Sequence, residues 1–324
     1  MWSRKATMRW RSKESVMSVQ ISPDDKLCAA GYFDGAVVIY DMISTSAKAD
    51  FNISGGAGRV LPVTSLRFHP MHHTLLVSGS DGTVEKRDLK TLETVTRLND
   101  DKNEVYCADY RRDGAIYATA GLDGTVRVYD DHTDKLINAF NTVPEHTANR
   151  PACRLYAVVF SPDDPNMLIA SGWSSAVHVF DLRQHDAAVK KSLFGPYMVG
   201  DALDIRSGII LAASNRMEQQ FQFIDSETGV TNDVAWPSEY RFTPLCAKFS
   251  RDLTGEFAAV GGGGSNGLAH AAFVYDRRAQ KCVVDAQFDG TVNSCCFSSG
   301  KDGPTRVVFG DSTGQVYTFE KPRK

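Results

Sequence analysis

Few stretches of this 324-residue chain combine residue types and spacing that could do chemistry. His69, His72 and His73 lie close together in His-Pro-Met-His-His. Imidazoles are zinc ligands, but a site needs further ligands in a fixed geometry, so a solvated turn is expected here. Residues 261–264 are four consecutive glycines. No Lys-Ser or Lys-Thr follows them, so they do not form a phosphate loop, and a hairpin tip is expected. The seven cysteines are Cys28, Cys107, Cys153, Cys246, Cys282, Cys295 and Cys296. Their number is odd and none forms a Cys-x-x-Cys pair, which fits small buried hydrophobes in a reducing compartment. The carboxylate pairs Asp24-Asp25, Asp100-Asp101 and Asp163-Asp164, like Arg111-Arg112, fall in polar stretches, where solvated turns are the expectation. No Ser/His/Asp or Cys/His set is recognisable. The expectation is therefore no catalytic residue, no metal and no cofactor.

What remains is recognition. Tyr32, Phe33 and Trp173 are aromatic residues placed where turns are expected, Arg216 sits in another such turn, and Tyr240 and Phe242 lie in a connecting loop. Exposed aromatics suit a partner's binding site because they offer large area at low entropy cost. Lys86 occupies a strand position held elsewhere by Ile39, Val128, Val179, Phe223 and Val274. A lysine there must snorkel, pair or meet a ligand.

The elements that position these residues repeat. Residues 105–130, VYCADYRRDGAIYATAGLDGTVRVYD, read as three short strands with a polar turn and an Asp-Gly hairpin between them. The design recurs seven times, and Asp41, Asp88, Asp130, Asp181, Asp225, Asp276 and Glu320 close the successive third strands. The steps between them are 47, 42, 51, 44, 51 and 44 residues, the period of a four-stranded blade with variable loops. A fourth strand fits each gap, as at 48–53 and 94–98.

The stretches SGSDGTVEKRD (78–88), AGLDGTVRVYD (120–130) and FSPDD (160–164) resemble WD40 repeats. The resemblance implies an all-β fold, a seven-bladed β-propeller forming one domain over 1–324. The seventh repeat ends after its third strand, so a strand at 7–11 is expected to complete the blade of 292–320 and close the ring. That reading is preferred for the basic stretch 1–13 over a mitochondrial presequence. The family's Trp before the closing Asp is replaced in every repeat, by Tyr40, Arg87, Tyr129, Phe180, Ile224, Tyr275 and Phe319. Its buried His–Ser/Thr–Asp–Trp network is therefore incomplete, and apolar packing between blades is expected to carry more of the stability.

Composition narrows the function. At 42% hydrophobic and 23% charged with net charge −3, the chain shows no field suited to nucleic acid. It has no apolar run long enough to span a membrane and no signal-peptide core. Fold does not dictate function. The expectation is a non-catalytic scaffold for protein partners in a larger complex, cytoplasmic, with nuclear or cytoskeletal association open and self-association unassigned. The alternative is a reader of a short peptide or modified tail at the channel mouth. Candidate contacts are Tyr32, Phe33, Lys86, Trp173, Arg216, Tyr240 and Phe242.

Overall fold

The structure, a computed structural model, describes residues 1–53, 61–100, 103–142, 153–184, 189–265, 267–301 and 303–321. These form 28 strands and no helix. The strands assemble into seven antiparallel four-stranded sheets. Six are blades whose strands pair in chain order: blade 1 (16–52), blade 2 (63–99), blade 3 (105–141), blade 4 (155–194), blade 5 (203–233) and blade 6 (243–287). Blade 7 combines residues 292–321 with the N-terminal strand Ser3–Arg9, which pairs along Gln315–Lys321. The first strands of consecutive blades contact one another around the ring. This is a seven-bladed β-propeller.

The two middle strands of a blade are apolar on both faces because both faces are buried, so they read as continuous runs, for example Ala-Val-Val-Ile-Tyr at 36–40. Alternate residues serve opposite neighbours. Ala30, Val38 and Tyr40 join the cluster between blades 7 and 1, while Ala29, Val37 and Ile39 join that between blades 1 and 2. Seven apolar clusters result, one at each blade junction.

The acidic residue that marks the sequence period has a local cause. The carboxylate of Asp41 accepts the N–H groups of Ile43 and Ser44, and Asp88 accepts those of Lys90 and Thr91. Asp130, Asp181, Asp225 and Asp276 cap their own turns between third and outer strands in the same way. Between second and third strands, Asp34, Asp81 and Asp123 accept the amides of Ala36, Thr83 and Thr125.

Several expectations are corrected. The closing strand is Ser3–Arg9 rather than 7–11. It starts earlier because Trp2 anchors it, edge-on to Phe257 at 5.4 Å and to Phe297 at 6.5 Å. Of the four glycines expected at a hairpin tip, three lie inside the strand Phe257–Gly263. A Cβ on Gly262 would stand 1.9 Å from the Thr243 carbonyl oxygen, so the backbones there approach too closely for a side chain. His69 is buried rather than solvated. Its Nδ1 accepts the amides of Met71 and His72, and Nε2 faces the Gly114 carbonyl at 3.1 Å in blade 3. Asp25 and Asp163 bridge blades. Asp25 accepts from the Ser299 amide and hydroxyl and the Gly300 amide, and Asp163 from the Ser207 amide. Asp101 lies outside the described residues.

Ring closure makes a test. Removing residues 1–9 bares the Gln315–Lys321 edge, and aggregation or a large fall in melting temperature is expected by light scattering and calorimetry. Met8, fully enclosed between blades 7 and 1, should cost about 2–3 kcal/mol as Met8→Ala in urea unfolding. A truncated chain that stays monomeric with an unchanged melting temperature contradicts closure.

Candidate protein-binding face and channel mouth

Antiparallel blades send the turns between second and third strands, and the connections entering each first strand, to one face of the ring. The turns between first and second strands go to the other. On the first face a bulge recurs at the start of the first strand. Register shifts after Val16, Val63, Val105, Leu155, Pro244 and Val292 leave Met17, Thr64, Tyr106, Tyr156, Leu245 and Asn293 unpaired. A bulge re-aims its extra side chain. Opposite the bulge of blade 3 the second strand needs Gly121, where a Cβ would meet the Glu104 carbonyl oxygen at 1.8 Å.

In blades 3 and 4 the bulged residues are tyrosines. Their rings stack with centroids 4.9 Å apart and planes 11° from parallel. Trp173 continues the row at 6.1 Å from Tyr156, with the Arg154 guanidinium 4.7 Å above the indole. The Tyr106 hydroxyl donates to Glu104, and burial together with this carboxylate pushes its pKa up. Sequence reading missed both tyrosines. The available signal was a break in alternation, since Val105, Cys107 and Ala108 are all buried around Tyr106.

Below the mouth, charged side chains cross the channel. Arg67 of blade 2 reaches Asp109 of blade 3 at 3.2 Å and Asp201, in the connection entering blade 5, at 3.1 Å. Lys248 of blade 6 meets Asp201 at 2.7 Å and donates to the Leu203 carbonyl. Burial works to raise the Asp201 carboxyl, but Lys248 and Arg67 outweigh it and hold the group below the ordinary range. Asp109 has Arg67 as its ion-pair partner, and there burial prevails and raises the pKa. The network joins blades 2, 3 and 6 to the entry of blade 5.

The sequence candidates separate. Phe33 is 50% exposed and Trp173 40%. Arg216 is exposed, its Nη1 donating to the Gly195 carbonyl at 2.8 Å. Tyr240 is half-buried beside Trp236, whose indole N–H donates to its carbonyl. Tyr32 is corrected: it is fully buried, its hydroxyl bonded to that of Tyr40 at 2.7 Å, because its strand position faces the junction of blades 7 and 1. Phe242 is likewise buried, packed on Trp236 and Phe273. Lys86 takes the pairing outcome. Its ammonium lies 2.8 Å from Asp131 and 2.6 Å from Asp134, over the Tyr117 ring. Among the described residues, no group of three or more His, Cys, Asp or Glu side chains is placed to hold a metal ion.

A family model described as WD domain, G-beta repeat matches residues 4–41, 56–85 and 92–130, which span the closing strand and blades 1 to 3. The other four blades repeat the same strand order. Residues 4–130 carry WD40 repeats, and the ring they begin is a seven-bladed propeller. Among characterised WD40 relatives, mouse (Mus musculus) coronin-7 is 34% identical over 118 residues, 36% of this chain and 13% of that protein. Actin-interacting protein 1 of Drosophila melanogaster is 28% identical over 117 residues, 36% of this chain and 18% of that protein. Autophagy-related protein 18 of Caenorhabditis elegans is 26% identical over 192 residues, 58% of this chain and 44% of that protein. The match thus spans less than half the length of each of these relatives. The WD40 turn Asp is kept in blades 1 to 3. In place of the family's Trp, blade 1 uses the Tyr32–Tyr40 hydroxyl pair; in blade 7 that position is Phe319, and two residues before it the Tyr317 hydroxyl bonds Asp311 at 3.1 Å.

Two measurements probe this ring. Arg67→Met strips Asp109 and Asp201 of a buried cation and should destabilise the chain by about 3 kcal/mol in urea unfolding. His178, which supports the Trp173 turn through Ser174 at 2.9 Å, is held by burial at a pKa of about 4. The unfolded chain takes up that proton near pH 6.5, so the contribution is full above about 6.5 and falls as the pH drops toward 4. The loss should be at most about 3 kcal/mol, and His178→Gln should flatten that part of the stability profile.

Proposed function

We propose that this ring is a non-catalytic scaffold that presents the face of its second-to-third-strand turns to protein partners in a multiprotein assembly. One observation carries the reading: the channel is crossed by the Arg67–Asp201–Lys248 bridge, while large apolar side chains on the surrounding face, including Phe33, Trp173 and Met217, stay open to solvent. Binding energy is thereby directed to turns held on a rigid frame, the arrangement in which loops serve recognition. All seven cysteines are unpaired, which supports a reducing compartment such as the cytoplasm. The fly relative's name makes actin a partner worth including in any test.

A second reading is favoured by the Tyr106–Tyr156–Trp173 row with Glu104 beside it. Aromatic faces beside a carboxylate suit a cationic side chain, so a short basic or modified tail could be read at the mouth.

Cross-linking mass spectrometry on the tagged protein in its own cells tests both. Under the scaffold reading, partner cross-links cluster on the face that carries Phe33, Trp173, Arg216 and Tyr240. Trp173→Ala removes them at an unchanged melting temperature and weakens affinity by about 2 kcal/mol or more. Loss of stability together with binding would assign Trp173 to packing. Cross-links confined to the opposite face, around His72 and Pro162, would refute this choice of face.

A further inference from the structure

The second-to-third-strand turns of the proposed binding face differ in charge from blade to blade, with Arg11 and Lys13 in the connection entering blade 1. In blades 1, 2 and 3 the turns 33–35, 80–82 and 122–124, with Glu104, carry four carboxylates and no cation. Arg127, from the third strand of blade 3, is drawn onto Asp123 and Asp100.

Blades 4 and 5 are built differently. Trp173 is 40% exposed, Phe194 80% and Met217 98%. Hydrogen bonds tie their backbones into one surface. The Gly195 amide donates to the Ser175 carbonyl at 3.0 Å, and the Arg216 guanidinium donates to the Gly195 carbonyl at 2.8 Å. The Met198 amide meets the Gly172 carbonyl at 3.0 Å, and the Asn215 amide the Tyr197 carbonyl at 2.8 Å. Single exposed apolar residues are ordinary, but a joined group marks an interaction site. Two guanidinium groups flank it: Arg154, lying over the indole, and Arg216. With Arg154, the turns 173–175, 194–195 and 215–219 hold two cations and one carboxylate, Glu218. Neither arginine stands within ion-pair distance of a carboxylate among the described residues, although the Tyr156 hydroxyl and, more distantly, Glu104 attract Arg154.

We propose that this patch on blades 4 and 5 docks an acidic amphipathic segment of a protein partner. Leucine or aromatic side chains of the segment rest on Trp173, Phe194 and Met217, and its carboxylates pair with Arg154 and Arg216. Guanidinium forks favour carboxylates, and Arg154 can keep its ring contact while its edge N–H groups donate to the partner's carboxylate. The carboxylate-rich turns of blades 1 to 3 repel the same segment, which fixes where and in which direction it lies. A basic segment meets the reverse field and leaves both arginines unpaired. The proposal rests on the scaffold reading and names the partner chemistry for it.

Fluorescence anisotropy with the purified full chain tests it, using three labelled 16-residue peptides. One alternates Asp and Glu with Leu and Phe; one replaces the acids by Lys; one keeps the acids and replaces the apolar residues by Ser. Only the first should bind, more weakly as salt rises. Affinity should fall at least tenfold in Arg154→Glu/Arg216→Glu, and as much in Phe194→Ser/Met217→Ser; Phe194, Met217 and Arg216 are exposed and Arg154 is half-buried, so melting temperatures should stay close to wild type. Equal binding of the lysine peptide, wild-type affinity in both variants, or tighter binding of phosphatidylserine vesicles or poly(U) through the same arginines overturns the proposal. The cross-linking map separates the two levels. Native partners seated on blades 1 to 3 sink the acidic-segment assignment and leave the scaffold standing, whereas a ring that cross-links to no protein sinks the scaffold itself.

Discussion

The first strand of each blade is an edge. Its sheet lies on one side only, so its outward backbone amides need acceptors that the sheet cannot supply. Among the described residues, a side chain of the preceding blade provides one at five of the seven junctions. Ser18 Oγ accepts the Leu66 amide at 3.2 Å, and Ser65 Oγ the Ala108 amide at 3.2 Å. Asp109 accepts that of Phe160 at 2.9 Å, Asp204 that of Phe249 at 2.8 Å, and Ser294 that of Val19 at 3.0 Å. A second bond, from the Ile21 amide to Cys296 Sγ, crosses the junction of blades 7 and 1. Each bond satisfies an otherwise orphaned edge donor and fixes the stagger of two neighbouring blades in one step.

Much of the remaining structure depends on that stagger. It brings alternate faces of the middle strands into seven shared apolar clusters, so the ring does not need the tryptophan that WD40 repeats usually place before the closing acid. It also sets the depth at which Arg67, Asp109, Asp201 and Lys248 meet. A buried ion network is a weak source of stability and a strong source of specificity of arrangement, since any slip leaves a charge without its partner. Blade 5 contributes to it through Asp201, in the connection ahead of its first strand, Leu203–Arg206.

Rigid blades let the variable turns differ freely. Blades 1 to 3 keep the Asp-Gly turn, with Gly35, Gly82 and Gly124 at positive φ. Blades 4 and 5 reach the same left-handed backbone with Ser175 and Gln219. The divergent turns carry Trp173 and Met217, so blades 4 and 5 hold the apolar, cation-flanked part of the face, while the regular turns, Phe33 apart, hold its acidic part.

The repeat, its period and the closing strand were legible in the sequence because their causes are local: an Asp caps its own turn, an Asp-Gly pair makes its own hairpin, and strand alternation needs only a few residues. The fate of individual side chains was not. Tyr32 and Phe33 are adjacent and aromatic, yet one is sealed against Tyr40 and the other faces water, because Tyr32 ends a strand packed on the neighbouring blade and Phe33 stands in the turn beyond it. His69 looked solvated, and Lys86 was left between snorkelling, pairing and a ligand; both are bound to partners 45 residues away in the next blade. Tyr106 and Tyr156 are 50 residues apart and stack only because two bulges aim them at one mouth. Sequence by itself determined the blades. Tertiary structure decided which residues they hide and which they show, since burial depends on the neighbouring blade and no local window contains it.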